Sequence, residues 1–179
     1  MEKIFKTRED LVKVLPKGMS IAEIGVFRGE FSKFIFENMN PSHLSLVDIF
    51  EGHMGSGDKD GNNMTYVILD NEYESLKKHF SFNDNVNIFK GKSVDFLKSI
   101  DDDSLDMVYI DASHEYQDVK MDLELSFHKV KKDGFICGHD YVSPRFDSVV
   151  TAVNEFCEEK GLKIKYLTED GCPTYCIIK

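Results

Sequence analysis

The stretch MVYIDASHEYQDVKMDL, residues 107–123, runs apolar and aromatic side chains into Asp111, sets His114 three positions later and then takes up a helical pattern. A second apolar run, GFICGHDY at 134–141, ends on His139 and Asp140. If both runs are strands of one parallel sheet, their C-terminal ends share a rim, and Asp111, His139 and Asp140 converge there. Two carboxylates and an imidazole suit a divalent cation. Oxygen ligands favour Mg2+, and the histidine admits Mn2+ or Fe2+. Singly, Asp111 could be a helix N-cap and His139 a satisfied buried histidine. Jointly they resist a packing explanation, because buried charge is costly unless it is paired or metal-bound. His114 can exchange a proton near neutrality, since an unperturbed imidazole titrates at about pH 6.5. Its alternative role is a hydrogen bond that orients the loop.

Two further features suit a nucleoside-type ligand. In AEIGVFRGEFS, Gly25 and Gly29 let a strand-to-helix turn approach a ligand closely, and the helix that follows aims its N–H groups into the same space. Alone, this G-x-x-x-G spacing is also what a tight structural turn needs. Asp48 then follows at roughly the 20-residue separation at which dinucleotide sites keep the acid that accepts hydrogen bonds from ribose. The bland alternative for Asp48 is a cap on the next segment.

The elements that must position these residues alternate along the chain. Apolar runs at 19–26, 43–50, 85–91, 104–111 and 134–141 read as strands, separated by amphipathic helices at 29–39, 71–80, 93–100 and 116–130. A helix at 147–161, with Gly161 as the residue past its end, precedes a closing strand pair at 162–168 and 174–179. Strands fed through helical crossovers make an α/β protein with a mostly parallel sheet. Residues 51–66, EGHMGSGDKDGNNMTY, form the one long irregular segment, which suits a substrate lid or a plain insertion.

At 179 residues the chain fits one domain. Its net charge of −10 repels phosphate backbones and no basic patch offsets it, which argues against a nucleic-acid partner and for small molecules. The opening residues MEKIFKTREDLVKVLPKG contain neither a signal-peptide block nor a membrane-length apolar run, so a cytoplasmic protein with no membrane partner is expected. Cys137, Cys157, Cys172 and Cys176 lack the spacing of a zinc or redox site and read as reduced thiols.

AEIGVFRGEFSKFI, LVDIF, GKSVDFL, VYIDASHEYQDVKMDL and GFICGHDY together resemble the class I S-adenosylmethionine-dependent methyltransferases over roughly residues 18–141. The likeness is closest to the small-molecule group that includes macrocin-type sugar O-methyltransferases and cephalosporin-hydroxylase relatives, and more distant to catechol O-methyltransferase. The resemblance implies a Rossmann-like, doubly wound sheet, mostly parallel with an antiparallel last strand, in the order 3-2-1-4-5-7-6. It implies methyl transfer to a hydroxyl of a small-molecule acceptor. It places Glu23 at the methionine amino end of S-adenosylmethionine, Gly25 and Gly29 against the cofactor, Asp48 on the ribose, and Ser93 with Val94 beside the adenine. Asp111, His139 and Asp140 fall where metal-dependent members hold Mg2+, although His139 stands where a carboxylate is more usual. Asp111 and His114 are the implied catalytic pair.

Many such relatives carry a longer N-terminal helical extension over the acceptor pocket. Cover is therefore expected here from 51–66, from YVSPRF at 141–146, or from a second subunit of a homo-oligomer. Two rival readings remain. A nicotinamide-dependent oxidoreductase explains the glycine turn and Asp48 but leaves the 111/139/140 cluster without a task and wants a fuller G-x-G-x-x-G. A non-catalytic nucleoside-binding protein of the same fold has no need of that cluster. The loop DASHEY lacks the Asn/Asp-Pro-Pro-aromatic pattern usual in methylation of nucleic-acid amines.

Overall fold

In β2 (Ser20–Ile24) and β7 (Leu105–Ile110) nearly every side chain is buried, on both faces of the strand. Successive residues of a strand point to opposite faces, so such runs need a covering layer on each side. Two hydrophobic clusters supply it. Ile21, Met107 and Tyr109 pack on one face with Leu11, Val12, Ile35, Met39 and Leu76. Ala22, Ile24, Val108 and Ile110 pack on the other with Phe96, Leu97, Leu123, Val153 and Phe156. The first set lies under α1 (Arg8–Val14), α2 (Glu30–Met39) and α3 (Glu72–His79). The second lies under α4 (Ser93–Ser99), α5 (Tyr116–Lys129) and α6 (Asp147–Lys160). Each fully buried aliphatic or aromatic side chain contributes about 1.5–3 kcal/mol, so these two layers fix the sheet that carries the site.

The computed structural model describes residues 3–51, 53–56, 65–68 and 71–179. Its main sheet also contains β1 (Lys3–Phe5), β3 (His43–Asp48), β6 (Val86–Lys90), β8 (Val130–Gly138), β9 (Ile164–Thr168) and β10 (Tyr175–Ile178). The order is β1-β9-β10-β8-β7-β2-β3-β6. Strands β6, β3, β2, β7 and β8 run parallel, while β10 is antiparallel to both β8 and β9. This is the expected 3-2-1-4-5-7-6 order with one strand added. Gly161 ends α6 in the left-handed conformation at φ 67, as its place in the sequence suggests. No helix among the described residues is long and apolar enough to cross a membrane, and all four cysteines are free.

Four local differences have physical causes. β1 and α1 occupy opening residues to which the sequence pattern assigns no element: the strand buries only Phe5 and the helix only Leu11 and Val12, too few positions to register a period. The strand expected at 134–141 begins at Val130, where α5 stops; half-buried Lys131 and exposed Lys132 and Asp133 make that start look like a polar loop in the sequence. The helix expected to run to 130 accordingly ends at Lys129. The irregular stretch 51–66 contains β4 (His53–Ser56) paired antiparallel with β5 (Thr65–Ile68), while residue 52 and residues 57–64, the rest of the expected lid, lie outside the described residues.

Candidate active site

Three parallel strands deliver their ends to one place. The N–H of Asp111 donates to Ile24 O at 2.7 Å, and that of His139 donates to Ile110 O at 2.9 Å, so the β2–β7–β8 ladder continues into the site residues. Gly25 donates to Val47 O at 2.8 Å and sits at φ +88. A Cβ on Gly25 would lie 2.0 Å from the carbonyl oxygen of Asp111. The glycine is therefore required by the close approach of the two strand ends, quite apart from any ligand. Gly29, at φ +74, opens α2 and leaves no room for a Cβ against Leu76.

Asp48 holds that turn. Its Oδ2 accepts from the N–H groups of Val26 and Phe27 at 2.8 and 2.9 Å, and its Oδ1 accepts from Phe50 at 2.8 Å. Phe27 and Phe50 both have positive φ, which the carboxylate helps to hold. A carboxylate offers about four acceptor positions, so room for roughly one more donor remains.

Behind the turn lies Glu23, 2% exposed, with Ser32 Oγ donating to Oε2 at 2.5 Å. Burial pushes its carboxyl up to about 8, and the Asp111 and Asp48 charges act in the same direction against Ser32 and Arg8. Between the ordinary value of 4.5 and about 8, the unfolded chain releases a proton that the folded chain keeps. The stability from this group is thus full at acidic pH and is lost as pH rises through that window. Glu23→Gln is expected to flatten the pH dependence by up to about 1.4 kcal/mol per pH unit in the window, read from urea unfolding of both proteins. Parallel curves for the two proteins would contradict it.

The remaining acids meet the histidines. The ligand-type atoms of Asp111, His139 and Asp140 all lie within 4.8 Å of one another. His139 Nδ1 stands 3.6 Å from Asp111 Oδ1 and 3.4 Å from Asp140 Oδ2. His114 Nε2 is 2.8 Å from the same Asp140 Oδ2. Burial raises the Asp111 carboxyl, with the Asp140 charge adding to it and His139 and Arg8 opposing. Burial also acts to raise Asp140, but the hydrogen bonds and charges of His139 and His114 outweigh it and bring that carboxyl to about 2. Burial acts to lower His139, and the two carboxylates more than reverse this. Asp140 itself sits at φ 58, a left-handed conformation that aspartate tolerates better than most residues.

His114 is fixed on three sides. Its ring packs on Phe146 at 4.3 Å, its carbonyl accepts from Ser148 Oγ at 2.5 Å, and Nε2 meets Asp140. Thus the segment 141–146, expected as cover, reaches the site through Phe146. Among the described residues the hollow lined by the cluster measures about 10 Å3, room for a single water, so larger ligands would lie on the open rim.

Ser93 and Val94 stand apart from this group, on the first turn of α4 after the edge strand β6. The Ser93 hydroxyl is bonded to Asp122 of α5, whose carboxyl burial pushes up to about 6. Reading the sequence also missed Arg8. Its Nη1 lies 3.1 Å from Asp111 Oδ2, its guanidinium covers the Phe31 ring at 4.2 Å, and it touches the Tyr109 hydroxyl. The usable signal was Thr7 with Asp10 three residues on, an N-cap pattern that places Arg8 first in a helix.

A family profile described as a methyltransferase domain matches residues 22–141. No curated protein matches the chain. Among solved structures, an rRNA-methylase-like protein of Clostridium thermocellum is 15% identical with a TM-score of 0.66, covering 96% of this chain and 92% of that one. A caffeoyl-CoA O-methyltransferase-like protein of Staphylococcus aureus is 17% identical, with a TM-score of 0.66 and coverage of 96% and 82%. Aeropyrum pernix fibrillarin, in complex with natively bound S-adenosyl-L-methionine, is 12% identical, with a TM-score of 0.64 and coverage of 94% and 72%. At these identities the structural neighbours establish the fold, and the profile match across most of the sheet establishes the family. The chain belongs to the methyltransferase-domain family of class I S-adenosylmethionine-dependent methyltransferases.

Proposed function

We propose that this methyltransferase acts on a hydroxyl of a small molecule and that a divalent cation, Mg2+ or the softer Mn2+ or Fe2+, takes part. The observation that carries the reading is the convergence of Asp111, His139 and Asp140 within 4.8 Å, with His114 on Asp140. Two carboxylates and one imidazole fit such an ion in charge and donor type, and Asp111 Oδ1 faces His139 while only Oδ2 is taken by Arg8. Bound there, the ion would polarise the acceptor hydroxyl and ease its ionisation. S-adenosylmethionine brings a methyl group already activated as a sulfonium.

The chain's own residues have the remaining tasks of binding, alignment and proton transfer. Asp48 and Asp111 place carboxyl groups at the strand ends on either side of β2, which carries the buried Glu23, an arrangement suited to a cationic cofactor. The turn from Gly25 to Gly29 offers backbone to it, and Asp48 has capacity left for a ribose hydroxyl. Ser93 and Val94 are assigned to the adenine edge. Asp140 fixes His114 through Nε2, and with that nitrogen donating, Nδ1 is the basic one available to the acceptor proton. The net charge of −10 supports a small acceptor over a nucleic acid, and we place the protein in the cytoplasm as one domain, with a second subunit as further cover.

Calorimetry with S-adenosylhomocysteine, with NAD, and with Mn2+ before and after EDTA tests the reading. Binding of the first and third, with none of NAD, is the expected pattern. Binding of NAD alone would transfer the chain to hydride chemistry. Within the same reading, His114→Ala is expected to lower turnover by about 10²–10⁴-fold. Near-normal turnover with metal and acceptor bound would leave His114 only its loop-orienting role.

A further inference from the structure

The chain contains three arginines against nineteen lysines, and all three arginines flank the site. Arg8 lies on Asp111, Arg28 falls between Gly25 and Gly29, and Arg145 follows Asp140 in the segment leading to α6. Each guanidinium is laid on an aromatic ring: Phe31 at 4.2 Å, Phe27 at 5.2 Å and Phe146 at 5.0 Å. Their charges are not equally used. Arg8 is neutralised by Asp111 and Glu9. Arg28 is likewise exposed and has no carboxylate partner among the described residues, but it sits in the turn after β2, two strands from β8 in the sheet order.

Arg145 alone joins a free charge to contacts with the site. It is exposed, and its polar contact among the described residues is Cys172 Sγ at 3.9 Å; no described carboxylate lies within ion-pair distance, in a chain of net charge −10. Yet it is held in place. The Phe146 ring contacts both it and the His114 ring, at 5.0 and 4.3 Å, and Cys172 lies beside Asp140. The guanidinium is therefore tied on two sides to groups that touch the proposed base and a proposed cation ligand. A solvated surface cation needs no such support, and lysine, abundant elsewhere in this chain, would serve. A planar fork with most of its N–H donors free, braced on a ring, is matched to the paired oxygens of a carboxylate or phosphate and loses little entropy on engaging them.

We propose that Arg145 is a specificity-determining residue that receives an anionic group, carboxylate or phosphate, carried by the methyl acceptor. Anchored there, the acceptor turns its hydroxyl toward His114 and the Asp111, His139 and Asp140 cluster. The assignment rests on the methyl-transfer reading above and narrows its acceptor to acids.

The test is calorimetry on the full chain with S-adenosylhomocysteine and Mg2+, using paired probes: catechol against 3,4-dihydroxybenzoate, and glucose against glucose 6-phosphate. One anionic member is expected to bind at least about tenfold tighter than its neutral counterpart, and which pair shows it separates carboxylate from phosphate. Arg145→Ala is expected to bring the anionic member down to the neutral one. Arg145→Lys is expected to restore the preference only in part, because a point charge lacks the fork. Protein that binds S-adenosylhomocysteine but shows no anion preference, or keeps the preference in Arg145→Ala at an unchanged melting temperature, overturns the assignment alone. Failure to bind S-adenosylhomocysteine at all removes the methyl-transfer reading and this proposal with it.

Discussion

Gly25→Ala is expected to cost several kcal/mol of stability and to abolish S-adenosylhomocysteine binding. The added Cβ would fall 2.0 Å from Asp111 O, 2.4 Å from Asp111 C and 2.8 Å from Ala112 Cα. All three are backbone atoms in the β2–β7 ladder, so no side chain can swing aside. Forcing a residue with a Cβ to φ +88 adds about 1–2 kcal/mol, and parting two packed strand ends adds about 1–3 kcal/mol or more. Against a total stability of about 5–15 kcal/mol this is a large fraction. For a chain of this size each kcal/mol lowers Tm by roughly 2–4 °C, so a fall on the order of 10 °C is expected. Gly161→Ala is the control: its φ of +67 is equally left-handed, but nothing lies within 4 Å of the new Cβ. Equal losses of Tm in the two variants would show that the close approach at Gly25 does not matter.

Asp111→Asn is expected to remove metal-dependent turnover while leaving the fold nearly intact. One side chain here serves several neighbours: Oδ2 pairs with Arg8, Oδ1 faces His139, and its charge adds to that of Asp140. The isosteric amide keeps the volume and removes the charge. Loss of partners that merely orient ligands weakens metal sites by about 10–100-fold, so loss of a ligand charge should exceed that range, measured as the Mn2+ Kd. Turnover is expected to fall by at least about 100-fold on the same grounds. Stability should move little, because burial and Asp140 already disfavour the ionised carboxylate, while Arg8 loses its partner. The Glu23 carboxyl is expected to shift downward, since a negative neighbour is gone. Retention of Mn2+ affinity and turnover within about twofold would remove Asp111 from the centre of the proposed chemistry.

Much of the architecture was legible because periodicity is a local property. The runs at β2, β3, β7 and most of β8 are apolar on both faces, and α2, α5 and α6 carry their stripes at helical spacing, so their kind and order could be read directly. The short elements β1 and α1 and the start of β8 could not, since few of their side chains are buried. At the site, the types Asp111, His114, His139 and Asp140 were visible as chemistry placed at strand ends. Their pairing was not: that Asp140 holds both His114 and His139, or that Asp48 spends three acceptances on its own turn, depends on loop conformations with positive φ at Phe27, Phe50 and Asp140.

By itself the sequence determined an α/β protein with a mostly parallel sheet and acids and imidazoles at its C-terminal rim, because alternation and strand-end position are carried within a few residues. Only the tertiary structure decided that Arg8 reaches Asp111 across 103 residues and that Gly25 is required by the backbone of Asp111. It also decided that Arg145 stands braced beside the site without a carboxylate partner among the described residues. Such contacts join segments far apart in the chain, and their geometry is set by how the two hydrophobic layers seat against the sheet, which no local spacing encodes.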